Sequence, residues 1–141
     1  MAKGIFDKKL EEKGLFEKVI IDSCGTSDFH EGEDADPRTL QTLDSNNVPL
    51  DHQARQLRAE DFSRFDYIIA MDEKNFDDIL LRKPEDSDAK VLLMREFDND
   101  PEDLNVPDPY WSGEDGFNLV FDTLSEASEN FLKFLQKKHN L

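Results

Sequence analysis

The sequence contains a single cysteine, Cys24, in 141 residues. That excludes an intrachain disulfide, argues against a cysteine-based zinc cluster, and fits a reducing cytoplasm. Basic residues are also scarce, with 17 Lys and Arg against 33 Asp and Glu, for a formal charge of −16. A field of that sign repels nucleic acid and anionic lipid, so neither is expected as a partner. No apolar run reaches the roughly 18 residues that a membrane span requires. The first six residues, Met1-Ala2-Lys3-Gly4-Ile5-Phe6, contain no apolar signal core, and no internal repeat is present. An acidic chain binds phosphate only where amide donors and an Arg locally overcome the global repulsion.

What is present is one α/β pattern, read as a single domain over residues 1–141 with eleven phenylalanines to build its core. Ile5, Phe6 and Leu10 among Lys and Glu predict a first helix over residues 2–12, stopped by Gly14. Val19-Ile20-Ile21 reads as a short buried strand, and Asp22-Ser23-Cys24-Gly25-Thr26 as the turn that leaves it. Pro37 suits the first turn of a helix running to about Asn46. Residues 61–65 read as one helical turn. Residues 66–71 form the strongest strand prediction, followed by a helix from Glu73 to about Leu81. Residues 90–94 read as the third strand. Phe117, Val120, Phe121, Leu124, Ala127, Phe131, Phe134 and Leu135 recur every three or four positions, which predicts a long helix from Gly116 to about Lys138.

Alternating strands and helices imply parallel strands joined by crossovers. Ligands of such sheets bind at the carboxyl ends of the strands. That places Asp22-Ser23-Cys24, Met71-Asp72 and the loop holding Asp108 at the candidate site.

Several segments then carry a specific resemblance. They are Ile21 to Ser27 with Phe29-His30, Gly32 and Asp36-Pro37-Arg38; His52-Gln53-Ala54-Arg55-Gln56-Leu57; Phe65 to Glu73; and Asp108-Pro109-Tyr110-Trp111. In this order and spacing they resemble the low-molecular-weight protein tyrosine phosphatases. The resemblance implies a four-stranded parallel sheet flanked by helices, and hydrolysis of phosphotyrosine through a phosphocysteine, without a cofactor or metal. The expected substrate is a tyrosine-phosphorylated protein or an aryl phosphate.

By the same resemblance, Asp108 matches the general acid, and Phe29, Tyr110 and Trp111 match the walls around the substrate ring. Ser23 matches a serine that positions the phosphate loop, and Asp36 and Asp72 match acids that hold the loop's arginine. His52 and Arg55 look like scaffold contacts with those acids. Met1 to Phe6 resembles the stretch directly after the family's phosphate loop, C-x5-R followed by Ser-Pro. No such loop occurs among the 141 residues, because His30 stands six positions after Cys24. Cys24 is read as structural, and the single thiol argues against arsenate reductases of the same fold.

The resulting expectation is an N-terminally truncated domain lacking the nucleophile loop and the first, central strand, and inactive alone. The burial such a strand provides is comparable to the whole net stability of a domain. The chain is therefore expected not to keep the family fold as a well-packed monomer. It is expected instead to be partly ordered, to re-pair its remaining strands, or to self-associate through exposed sheet edges.

The alternative is a non-enzymatic acidic signalling or binding module, either a regulatory fragment or a receiver-like domain. Residues 65–72 resemble a receiver strand that ends in a phospho-accepting aspartate. The turn after Ile21 offers only one of the two acids such a domain needs, and Lys90 precedes its strand rather than following it.

Overall fold

The structure, a computed structural model, describes residues 1–27, 32–50, 54–99, 102–109 and 113–141. Its elements follow in the order α1 (Ala2–Glu12), α2 (Pro37–Ser45), α3 (Asp61–Arg64), β1 (Tyr67–Ala70), α4 (Glu73–Arg82), β2 (Lys90–Leu93) and α5 (Gly113–His139), with a 3-10 turn at Met94–Phe97. The helix stops follow the local chemistry. Gly14 takes a φ of 68° and Asn47 a φ of 60°, left-handed conformations favoured just past helix ends. Asp36 caps α2 by accepting from the Arg38 amide at 2.8 Å, with Pro37 at the first helical position.

β1 and β2 run parallel, with Tyr67 opposite Lys90 and Ala70 opposite Leu93. Their period-2 alternation feeds two layers. Tyr67 and Ile69 point into the cluster that Phe6, Leu10, Leu15, Phe131, Leu132 and Leu135 build between α1 and α5. Ala70 and Leu93 point the other way, against Leu57, Phe62 and Ile79 of the α3–α4 side. A third cluster joins Ile5, Leu43, Val48, Met94, Val120, Leu124 and Ala127, so α5 also closes over α2. Helices thus cover both faces of the β1–β2 pair, as buried parallel strands require. Leu10, Leu43 and Leu132 are wholly buried. Truncating such a leucine to alanine typically costs about 2–5 kcal/mol.

The aromatic content concentrates where α5 meets the sheet. Phe131 lies 4.8 Å from Phe97 and 5.5 Å from Phe6 between ring centroids, and its edge meets Tyr67 at 6.0 Å. The Tyr67 hydroxyl also hydrogen-bonds His139 Nε2 at 2.9 Å, tying the end of α5 to the start of β1.

The structure corrects several boundaries and one element. Residues 19–21 carry no β-ladder, and Ile20 is 75% exposed. Val19 and Ile21 do pack against the α1–α5 cluster, so the apolar alternation is used, but a strand also needs hydrogen-bond partners and none of the described strands supplies them. An isolated bridge, Gly25 to Gln56, is the β-type pairing of the described residues in the segment that follows. The sheet of described residues is therefore two-stranded. Met94 belongs to the 3-10 turn rather than to β2, and α5 starts three residues earlier than Gly116. No helix among the described residues is long and apolar enough to cross a membrane.

One buried polar atom stands out. Ser128 on α5 is wholly buried, and its Oγ meets no hydrogen-bond partner among the described residues. An unsatisfied buried hydroxyl costs on the order of 1–3 kcal/mol, and alanine is the better helix former. Ser128→Ala should therefore stabilise the chain by about 1 kcal/mol, raising the thermal midpoint by roughly 3–5 °C. A lower midpoint by differential scanning fluorimetry would mean that the hydroxyl is satisfied after all.

Candidate functional site

Three segments converge beyond the carboxyl end of β1. The first is the end of β1 with the start of α4. Asp72 caps that helix, its Oδ1 accepting from the Asn75 amide at 2.6 Å. The second is the turn around Thr26. Its carbonyl accepts from Arg82 Nη2 at 2.8 Å and from Gln56 Nε2 at 3.4 Å, and its hydroxyl accepts from Asn75 Nδ2 at 3.5 Å. The third is the loop that leads to Asp108. Val106 donates its amide to the Met71 carbonyl at 2.8 Å, and Asn105 Oδ1 accepts from the Glu73 amide at 2.7 Å. Asp108 follows in this loop, exposed to solvent.

The turn that carries Ser23 is held by an ionic junction that sequence reading placed elsewhere. Arg55 donates Nη1 and Nη2 to the two oxygens of Asp61, both at 2.9 Å, Nε to Asp22 at 3.1 Å, and Nη1 to the Gln56 carbonyl at 3.2 Å. Among the described residues its carboxylate partners are thus Asp61 and Asp22, not Asp36 and Asp72. Asp22 Oδ1 in turn accepts from the Ser23 amide at 2.8 Å. Backbone bonds between Gly25 and residues 55 and 57 complete the attachment.

Asp61 is only 4% exposed. Burial alone would raise its pKa, but the Arg55 hydrogen bonds and the Arg58 amide outweigh that and hold it below the usual carboxylate value. Arg55 is correspondingly raised, chiefly by the bond to Asp61.

Asp36 and Asp72 are both helix caps. Asp36 also bonds the Arg38 guanidinium at 3.1–3.2 Å, and these contacts lower its pKa. Arg38 lies 4.8 Å over the Phe117 ring, bridging the start of α2 to the first turns of α5. Cys24 is solvent-accessible, yet packing around the thiol pushes its pKa up. Arg55 pulls the other way, and Asp61 and Asp22 add to the rise. It is a poor thiolate. Phe29, His52, Tyr110 and Trp111 lie outside the described residues.

Sequence reading missed Asp61 and Asn105, and it placed Asp22 at the candidate site and quoted Arg38 without giving either its contact. Asp61 had a signal, since an acid opening a helical turn six residues after an Arg can fold back on it. Asn105 had a weaker one in Asp103-x-Asn105. No local pattern pointed to the pairing of Asp22 with Arg55 or to the Arg38–Phe117 stack.

Comparison with known proteins bears on the arrangement. The family model described as low molecular weight phosphotyrosine protein phosphatase matches residues 1–141. A protein of that description from Schizosaccharomyces pombe is 43% identical over 134 residues, covering 94% of this chain and 86% of the relative. A low molecular weight protein-tyrosine-phosphatase from Streptomyces coelicolor is 39% identical over 141 residues, covering 98% and 86%. Among solved structures, a protein tyrosine phosphatase from Entamoeba histolytica, crystallised with Hepes in its active site, superposes with a TM-score of 0.90. It is 38% identical and covers 99% of this chain and 89% of its own. These matches give the receiver-like alternative no support. The superposition gives this chain the arrangement of that relative. Each of the three core clusters is closed by elements inside the chain, so the helices and the β1–β2 pair keep their places.

Removing one member of a buried ion pair strands the other, at a cost of about 3–5 kcal/mol. Arg55→Ala should lower stability near pH 7 by about 3 kcal/mol. Asp61 has a depressed folded pKa, so its contribution is fully present above its unfolded pKa near 3.9 and is lost as pH falls through the lower folded value. The gap between wild type and variant should thus narrow below about pH 4. Urea melts across pH 3–7 check this. A gap that stays constant would detach Asp61 from the effect.

Proposed function

Because this chain belongs to the low molecular weight phosphotyrosine protein phosphatase family, we propose that it carries the general-acid half of a phosphotyrosine-hydrolysing site, with Asp108 as the acid. The observation that supports this most is the pinning of the Asp108 loop, through Val106 and Asn105, to the carboxyl end of β1 and the start of α4. In open α/β sheets that edge is where ligands bind.

The chemistry assigns the roles. A thiolate attacks phosphorus, forming the S–P bond as the P–O bond to the phenol breaks. The protonated Asp108 carboxyl gives its proton to the departing phenolate, a poor leaving group near neutral pH. Donation of this kind contributes about 10²–10⁴-fold. Asp108, now ionised, takes a proton from the water that attacks the phosphocysteine and releases phosphate. Phe29, Tyr110 and Trp111 flank the substrate ring, and stacking adds about 0.5–1.5 kcal/mol per pair beyond area burial. Ser23, Asp36, Asp72, His52 and Arg55 support the site without reacting. The substrate class is phosphotyrosine in proteins, or a small aryl phosphate, in a reducing cytoplasm.

The thiolate and the arginine-bearing cradle are not formed by any of these 141 residues, since no C-x5-R occurs among them. Cys24 does not substitute, because its surroundings disfavour the thiolate and nucleophilicity follows that form. A polypeptide of these residues alone is therefore without turnover. Self-association belongs to the same reading, since β1 and β2 each have one edge with no strand partner among the described residues.

Purified alone, the 141-residue polypeptide should leave p-nitrophenyl phosphate intact; hydrolysis that disappears on altering Cys24 would overturn the assignment of that thiol. In a polypeptide carrying a strand and C-x5-R loop ahead of Met1, Asp108→Ala should slow aryl-phosphate turnover by about tenfold or more. Unchanged turnover would take Asp108 out of the acid role.

A further inference from the structure

We infer that Asn105 is a positioning residue that sets where the Asp108 carboxyl stands, an inference that rests on the acid role proposed for Asp108. Asn105 uses every polar group it has. Its Oδ1 accepts from the Glu73 amide at 2.7 Å, fixing the loop to the first turn of α4. Its carbonyl accepts from Arg95 Nη1 at 2.8 Å, and the same guanidinium reaches Asp98 through Nε at 3.1 Å. Its amide and Nδ2 both donate to Asp103 Oδ1 at 2.9 Å. The next residue, Val106, is bonded to the Met71 carbonyl. Asn105 thus joins the loop to β1's end, to α4 and to the turn after β2.

The link from this hub to the acid is stiff. Between them lie only Val106 and Pro107, and Pro109 follows Asp108. Each proline fixes its own φ near −65°. Val106 and Asp108 each precede a proline, which confines both to extended conformations. A rotation of the Asn105 anchor is therefore carried to the carboxyl over a span of three residues, about 10 Å at most. Misplacement by about 1 Å is enough to cost a large part of a proton transfer.

Asn105 is assigned its role through Asp108 alone, so its signature has to come through the acid. In the step that expels the phenolate, a misplaced acid penalises poor leaving groups selectively, whereas a general structural defect slows that step for all substrates alike. The test compares phenyl phosphate, whose phenolate needs a proton, with p-nitrophenyl phosphate, whose nitrophenolate leaves as a much weaker base. Both are measured in the polypeptide carrying a strand and C-x5-R loop ahead of Met1.

Asn105→Ala should lower kcat/KM, which reports only the steps up to loss of the phenolate, by about tenfold or more on phenyl phosphate and by less than about threefold on p-nitrophenyl phosphate; kcat, which also contains the phosphocysteine hydrolysis common to both substrates, is not the readout. Asp108→Ala, run beside it, should show the same selectivity more strongly. If Asp108→Ala is selective and Asn105→Ala slows both substrates equally, or neither, the positioning role is overturned and the acid assignment stands. If Asp108→Ala shows no selectivity, the acid assignment falls and takes this inference with it.

Discussion

The constraint on which the architecture rests is the apolar stripe of α5. That one helix closes two of the three core clusters, against α1 through Phe131, Leu132 and Leu135 and against α2 through Val120, Leu124 and Ala127. β1 can present Tyr67 and Ile69 to one side only because this stripe receives them. The strand's carboxyl end is thereby fixed, and with it the Met71 carbonyl and the cap of α4. The position of the Asp108 loop follows from helix packing far from any chemistry. Acidic residues in the first turn of α5 and Lys137, Lys138 and His139 in its last turn match the helix dipole.

Acidic side chains at the site edge serve structure before chemistry. Asp36 and Asp72 cap helices, Asp61 holds a guanidinium, and Asp22 bonds both that guanidinium and the Ser23 amide. Each carboxylate is given donors, which limits the repulsion that a chain of charge −16 would otherwise concentrate there. An incoming phosphate dianion would meet a surface whose negative groups are already hydrogen-bonded. Arg55 has its own donors committed to Asp61, Asp22 and Gln56. That distinguishes a structural arginine from one free to bind an anion.

How far the sequence revealed this depended on the range of the interactions. Helices were legible because their signals are local. The three-and-four spacing from Phe117 to Leu135 marked α5, and Asp36-Pro37 marked the start of α2. Tyr67–Ala70 was legible because an apolar run bounded by acids reads as a buried strand. Val19-Ile20-Ile21 looks the same locally but has no ladder, since pairing depends on what lies alongside and not on the residues themselves. At the site, the place of Asp108 beside β1's end could be foreseen from topology. The Arg55–Asp61 pair left only the spacing of an acid six residues after an Arg, a weak signal because an aspartate at the start of a helical turn ordinarily faces water. For Asn105 only the local Asp103-x-Asn105 pattern was visible, as its partners on α4 and at Arg95 lie 32 and 10 residues away in sequence.

The proline spacing around Asp108 has a further consequence. In an extended segment, alternate amides face the same side, so Pro107 and Pro109 remove the donors from one side while Val106 turns its amide inward to Met71. A passing β-strand finds no amide donor there to complete a ladder. This stretch of the loop is thus protected from intermolecular zippering.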